Sequence, residues 1–152
     1  DSGLGTEPQD PQRGEFLRWL FYLSNTVHAD LIRIFYPHRF VPAETIPVHY
    51  TMISTHLRGH MEILETAVQQ NPTIFAPPSA LTLYLGPLLR WSVLYPFEGE
   101  RWLDLSKYPA IKELILSLET RASVNVAAAA EGLGEAPFSK PKLPNPPEGS
   151  AT

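Results

Sequence analysis

Proline divides this chain into a few stretches that are long enough for regular structure. The 152 residues include 16 prolines. Proline lacks a backbone N–H and clashes with the preceding helical turn, so a helix usually ends before a proline or begins with one. Between the prolines, apolar residues recur at the spacing of amphipathic helices, and no stretch of any length alternates as a strand does. The sequence therefore predicts an all-α fold, a bundle of about five helices.

The prolines, with the capping residues beside them, also set the expected bounds of the helices. Asp10 and Pro11 are typical of a helix start, because Asp caps free N–H groups and Pro suits the first helical position. Thr45 and Ser79 are candidate N-caps, and Gly132 is a candidate C-cap. The five expected helices cover residues 14–36, the stretch from the 42–47 turn to about residue 70, residues 80–94, a stretch that opens at Pro109, and about residues 123–131.

The third expected helix, residues 80–94, is apolar almost all round, which predicts a central and buried position. Pro87 removes one backbone hydrogen bond from it, so Gly86-Pro87 predicts a kink. Gly59, in the middle of the second helix, costs up to about 1 kcal/mol relative to Ala. A close crossing with another helix would be a reason to keep a glycine there.

Composition divides the chain into three parts. Residues 1–13 are rich in Gly, Pro and polar residues and are expected to be the remnant of an interdomain linker. Residues 14–135 form the helical domain. Residues 136–152 carry five prolines and one aromatic residue, so they are expected to be an extended or disordered tail.

Charge and composition exclude several classes of function. The net charge is -4, and the 12 basic residues are scattered, which is unlike a nucleic-acid-binding surface. The longest apolar stretch, residues 80–97, contains Pro87 and Arg90, so we expect no membrane-spanning helix. The absence of cysteine excludes disulfides, thiolate metal sites and cysteine nucleophiles. It also fits a reducing cytoplasm, where we expect the protein to act.

Five stretches, taken in order along the chain, resemble one family of proteins. They are residues 1–5 with Asp10, Pro11 and Arg13; residues 16–22; residues 78–85; residues 104–110; and residues 121–124 followed by residues 129–133. In this order and spacing they resemble the linker and the all-helical C-terminal domain of bacterial glutathione transferases. The resemblance covers about residues 1–138, and no one of the five stretches is diagnostic alone.

Four positions bear on how far the family's features carry over. Thr82 stands three residues after Ser79, where the family usually has Asp, which predicts a weaker reciprocal cap. Ala122 stands where the family usually has Pro. Phe21 stands where beta-class members carry an Asn that helps to hold glutathione, and Phe21 cannot do so. His28 matches a family His beside the active cleft.

The resemblance implies the helical half of a dimeric glutathione transferase that conjugates glutathione to small hydrophobic electrophiles. The family holds and activates glutathione mainly in a thioredoxin-like domain, which this chain lacks, so no catalytic residue is predicted here and the chain alone is expected to be inactive. That domain would precede this chain or belong to a partner protein. A missing domain would leave an apolar patch, so self-association or partner binding is expected.

Two other functions remain open at this point. The fold also serves as a non-catalytic interaction or scaffold module, which Phe21 and the missing domain favour. A helical bundle that binds a small molecule without chemistry is the third possibility.

Four residues are candidates for ligand contacts. His28 is the candidate glutathione-binding residue, through a hydrogen bond; the alternative is a partly buried His that bonds locally. Tyr36, Trp91 and Tyr95 are candidates for lining a hydrophobic substrate pocket, since apolar walls with a few polar tips suit small ligands. The alternative for these three is ordinary core packing.

Other polar residues carry weaker signals. His49, His56 and His60 fall on one helical face, and the last two have the spacing of zinc-binding helices, but Leu57 replaces the Glu of the zincin motif. A solvated or subunit-facing surface explains them more simply, so no metal site is predicted. Asp30 and Arg33 are expected to form a surface ion pair. We expect the pair Glu62 and Glu65 to be a solvated acidic edge.

Overall fold

The computed structural model describes residues 3–95 and 101–145, and all the regular structure within them is helical. The predicted all-α fold is confirmed. The six α-helical segments are α1 Arg13–Tyr22, α2 His28–Phe35, α3 Ile46–Gln70, α4 Ala80–Leu94, α5 Pro109–Glu119 and α6 Ala122–Ala130. Residues 1–2, 96–100 and 146–152, which include parts of the predicted linker, loop and tail, lie outside the described residues.

A π-helical turn, Leu23–Val27, joins α1 to α2, so the two form one rod and the bundle has five helices, as predicted. At this turn the N–H of His28 donates to the carbonyl of Leu23, five residues back. Short 3-10 turns occur at Pro37–Arg39, Ala43–Thr45 and Leu105–Lys107. Before the rod, the Asp10 carboxylate accepts the N–H of Gln12 at 2.7 Å, and helical geometry begins at Arg13.

The helix α3 buries apolar side chains at three- and four-residue spacing, with Ile53, Leu57, Met61 and Leu64 each at most 2% exposed. The predicted cap at Thr45 is wrong. Its hydroxyl instead donates to the carbonyl of Pro42 at 2.9 Å, within the 3-10 turn Ala43–Thr45 that precedes α3.

The helix α4 occupies the centre of the bundle, and nine of its 15 residues are buried. Its first turn is closed by a reciprocal cap. The N–H of Ser79 donates to the Thr82 hydroxyl at 3.0 Å, and the N–H of Thr82 donates to the Ser79 hydroxyl at 3.2 Å. We expected a weaker cap because Thr82 stands in the place of Asp, but Thr82 makes both hydrogen bonds of the reciprocal cap. The helix continues from Ala80 to Leu94 with Pro87 inside it. No helix among the described residues is both long and apolar enough to cross a membrane.

Residues 136–145, here named the C-terminal strap, lie against the bundle. These residues belong to the 136–152 tail for which we predicted an extended or disordered conformation. The buried Arg90 guanidinium donates to the carbonyls of Pro137 at 3.1 Å and Lys142 at 2.7 Å. The Glu119 carboxylate accepts the N–H groups of Phe138 and Ser139, both at 2.8 Å. A buried guanidinium requires acceptors, and the strap supplies them.

Glu65 is 9% exposed and joins α3 to the start of α5. Its carboxylate accepts the N–H of Ala110 at 2.8 Å and that of Ile111 at 3.0 Å. The first N–H groups of a helix have no partner inside the helix, and a negative charge there is stabilising. The predicted solvated edge is therefore wrong for Glu65, whereas Glu62 is exposed.

Substitution Glu65→Gln tests this cap between helices. An amide offers one acceptor oxygen in place of two and no charge, so one N–H of α5 loses its partner. We expect the free energy of unfolding to fall by about 1–3 kcal/mol. Urea denaturation measures it. Glu62→Gln, three residues earlier and exposed, is the matched control and should change the value by less than about 0.5 kcal/mol. Equal effects of the two substitutions would contradict the assigned cap.

Candidate aromatic ligand site

Five ring-bearing residues from α2 and α4 form a continuous group on the molecule, here named the aromatic cluster. His28 and Phe35 are two turns apart on α2, so they share one face. Tyr84, Trp91 and Tyr95 recur at the same kind of spacing along α4 and at its C-cap. These two helical faces meet and bring the five rings together.

The ring distances define the cluster. The His28 ring centroid lies 5.9 Å from that of Tyr84 and 5.8 Å from that of Trp91. Phe35 lies 6.5 Å from Trp91 and 5.2 Å from Tyr95, also between centroids. Such tilted and edge-on pairs are favourable beyond the burial of their area. Each of the five side chains is half-buried, so the cluster packs on the core on one side and reaches the surface on the other.

One polar contact lies within the cluster. Nδ1 of His28 is 2.6 Å from the hydroxyl of Tyr84, at hydrogen-bond distance. If the Tyr84 hydroxyl donates to Nδ1, the proton of a neutral His28 is on Nε2, where it can be donated to another group. If Nδ1–H donates to the hydroxyl, the hydroxyl proton of Tyr84 can be donated instead. In either arrangement the pair keeps one donor beyond the bond it makes internally. Burial raises the pKa of the Tyr84 phenol, so this hydroxyl is protonated at neutral pH.

The π-helical turn directly precedes His28. Such turns occur mostly as single insertions in α-helices and often at functional sites. Phe21, on the other side of the turn, is 57% exposed. The turn therefore separates the exposed Phe21 from the half-buried His28 on what would otherwise be one helical face.

Three of the four predicted ligand contacts come together here. His28, Trp91 and Tyr95 belong to the cluster. Tyr36 makes its ring contacts elsewhere: it lies under the Arg39 guanidinium, 4.4 Å from carbon to ring centroid, and 6.3 Å from the His38 ring. The helix ends at Tyr36, whose backbone has left the helical region (φ -128°, ψ 54°), so its side chain departs from the face of His28.

Two residues of the cluster were missed by sequence reasoning. Phe35 takes the place that the prediction gave to Tyr36, and its seven-residue spacing from His28 was a signal for it. Tyr84 supplies the partner of His28, 56 residues away in sequence. No local signal identifies that pairing, because it depends on how α2 and α4 pack.

A second polar group ties the N-terminal rod to α3. The Tyr22 hydroxyl lies 2.8 Å from Nδ1 of His60, and Nε2 of His60 lies 3.2 Å from the carboxylate of Asp30. Arg33 donates to the other oxygen of Asp30 at 2.6 Å. The predicted Asp30–Arg33 pair is present, but Asp30 is 6% exposed and so is not a surface residue. Burial, and then the charge of Asp30, raise the pKa of Tyr22.

The three histidines of α3 have separate surroundings. His49 is buried, with Nε2 at 3.2 Å from the carbonyl of Arg33, and His56 is exposed. His60 belongs to the Tyr22–Asp30 group. Across residues 3–95 and 101–145, no three His, Asp or Glu side chains are grouped so that they could hold a metal ion.

Comparisons with known proteins give no match for this chain, whether with protein-family models, with curated proteins or with solved structures. Its function must therefore be argued from the contacts of the aromatic cluster and from the resemblance of its sequence.

Alkaline titration tests the environment of Tyr84. An unfolded Tyr titrates near pH 10. Since burial raises the pKa of Tyr84 in the folded chain, its contribution to stability is complete below about pH 10 and is lost as the pH rises through the folded value. Tyr84→Phe should therefore make the fall in unfolding free energy between about pH 9 and 12 shallower, as measured by urea denaturation. An unchanged slope would contradict this environment.

Proposed function

We propose that this chain is the helical half of a glutathione-transferase-like protein and that its aromatic cluster forms the apolar wall of a site for small hydrophobic electrophiles. The observation that carries the proposal is the cluster itself. It combines half-buried rings with one hydrogen-bonding pair, and ligand sites are typically apolar with a few placed polar groups. The cluster also contains His28, the residue that the family resemblance assigns to the cleft.

The two kinds of side chain would have different tasks. Trp91, Phe35 and Tyr95 offer ring faces and edges to an apolar or aromatic ligand. The His28–Tyr84 pair offers its remaining donor to an acceptor atom on the ligand or on glutathione. A donor at the edge of an apolar wall orients a ligand, because a ligand acceptor that is removed from water and left without a hydrogen bond is costly.

In this proposal glutathione lies at the polar end of the cluster. It would supply the thiolate nucleophile, and its acceptor groups match the donor that His28 and Tyr84 leave. Phe21 has no polar atom with which to hold it, so most of its contacts would come from a thioredoxin-like domain or a partner protein. In this proposal the chain binds and orients but does not activate the thiol. The complete protein would be a cytoplasmic homodimer.

One observation favours a second candidate, a non-catalytic interaction module with the same helical fold. Phe21 is 57% exposed, where the family's Asn would contact glutathione. A large exposed apolar side chain in that place suits contact with a protein better than contact with a peptide thiol. Stable capture of a partner by a chain without affinity for glutathione conjugates would support this alternative.

Calorimetric titration with S-hexylglutathione tests the ligand site. The conjugate presents both the polar tripeptide and an apolar chain. Trp91→Leu keeps an apolar side chain but removes the ring, and Tyr84→Phe removes the polar partner of His28. We expect each to weaken binding by about tenfold, close to the loss of one hydrogen bond or one aromatic contact.

Tyr36→Leu is the control, since Tyr36 makes its contacts outside the cluster. It should leave the dissociation constant within about twofold, a free-energy change within the scatter of surface substitutions. Absence of any binding by the unsubstituted chain, or weakening by Tyr36→Leu alone, would reject the aromatic cluster as the ligand site.

A further inference from the structure

Four large apolar side chains are exposed within a short stretch where the chain turns from α2 into α3. Tyr36 is 43% exposed, Phe40 is 48% exposed, Val48 is 73% exposed and Met52 is 50% exposed. Residues 36–52, which contain all four, are here named the α2–α3 corner. A single exposed apolar side chain is ordinary, but several of them close together normally mark a contact with a protein or a membrane.

The two exposed rings of the α2–α3 corner are held in place by their neighbours. The Arg39 guanidinium lies over the Tyr36 ring, 4.4 Å from carbon to ring centroid. The Phe40 ring stacks on the ring of the buried His49, with 12° between the planes and 6.5 Å between the centroids. Three prolines restrict the backbone of the corner. Because the rings are already ordered at the surface, a partner gains their contacts with little loss of side-chain entropy.

The charge of the α2–α3 corner differs from that of the rest of the chain. The net charge of the whole sequence is -4, yet only one of its 16 acidic residues, Glu44, lies within residues 36–52, where Arg39 offsets it. The first turn of α3, all of which is described, has no acidic side chain and no side-chain cap, so the positive end of the helix dipole is not offset there. An anionic surface is therefore attracted to the corner and repelled by the acidic remainder of the chain.

The interface of an anionic lipid bilayer matches this combination of exposed rings and positive charge. Tyr side chains are enriched at the level of the lipid headgroups, where the ring and the hydroxyl each find a suitable environment. Arg places its stem against apolar surface and keeps its charge among the headgroups. The headgroup phosphates offer acceptors and negative charge to Arg39 and to the first N–H groups of α3, which have no partner inside the helix.

We infer that the α2–α3 corner binds the surface of an anionic phospholipid bilayer. Its four exposed apolar side chains enter the interfacial layer, and Arg39 and the start of α3 contact headgroup phosphates. This inference goes beyond the proposed function and does not depend on it. Phe35 of the aromatic cluster directly precedes Tyr36, so binding holds the cluster beside the bilayer, where hydrophobic molecules accumulate.

Co-sedimentation with vesicles of phosphatidylcholine that contain phosphatidylglycerol measures the partition coefficient of the chain. Arg39→Glu reverses one charge at the corner and should lower this coefficient by at least about tenfold, since each basic residue near an anionic surface contributes several-fold. Lys112→Glu makes the same change in net charge and should stay within about twofold. Lys112 is exposed in the first turn of α5, which Glu65 caps about 28 Å along α3 from its start. Urea denaturation checks that both variants are folded.

Single cysteines test whether the corner enters the bilayer. The chain has no cysteine of its own, so one introduced thiol can be labelled specifically with a polarity-sensitive nitrobenzoxadiazole dye. The label at Val48→Cys should shift its emission to shorter wavelength when the vesicles are added, because its surroundings become apolar. Ile63→Cys is the matched control and should show no shift. Ile63 is also exposed on α3, but it lies about 22 Å further along the helix.

Several outcomes would overturn this inference. If the unsubstituted chain does not sediment with the vesicles, the exposed rings belong to a protein contact instead. Equal losses for Arg39→Glu and Lys112→Glu, or equal emission shifts at both cysteines, would show that the corner is not the binding surface. Equal binding to vesicles of phosphatidylcholine alone would reject the role of anionic lipid. Binding of S-hexylglutathione is measured without vesicles, so the ligand site is decided separately.

Discussion

The fold depends on covering α4, a helix with almost no polar face. Nine of its residues are buried, so neighbours must surround it on nearly every side. The other helices do not suffice. The N–H of Ala80 donates to the carbonyl of Leu4 in the N-terminal segment, and the ring of Phe138 lies 3.1–3.2 Å from the Cβ position of Gly86. Leu4 and the C-terminal strap therefore lie against the bundle, and the buried Arg90 donates to the strap carbonyls of Pro137 and Lys142.

The aromatic cluster occurs where this cover of α4 is incomplete. Leu85 and Leu89 are fully buried, whereas Tyr84 and Trp91 are half-buried on the side of α4 that meets α2. Large aromatic residues with polar tips suit such a boundary, because the ring packs inward and the polar atom reaches a partner or water. The same constraint that buries most of α4 thus leaves one amphipathic strip of it at the surface, and the aromatic cluster lies on that strip.

Features set by neighbouring residues were predictable from the sequence, and features set by packing were not. Proline and periodicity gave the bounds of α4 and the opening of α5 at Pro109, because helix ends depend on local backbone chemistry. The cap that Glu65 places on α5 joins residues 45 apart, and Arg90 reaches the strap 47 residues away. Such partners are fixed only when the helices pack. Tyr36 lies apart from the cluster for a smaller reason: α2 ends at Phe35, one residue before it, so its side chain leaves the face of His28.

The Asp30–His60 contact joins α2, which carries two rings of the aromatic cluster, to α3. Asp30 lies two residues after His28 and is buried. One oxygen of its carboxylate lies 3.2 Å from Nε2 of His60 on α3, and the other accepts from Arg33 on α2 itself. A buried carboxylate is costly unless it is paired and hydrogen-bonded, so this second partner favours the packing of α3 against α2. The position of His28 and Phe35 therefore depends on a polar contact between the two helices as well as on the apolar core.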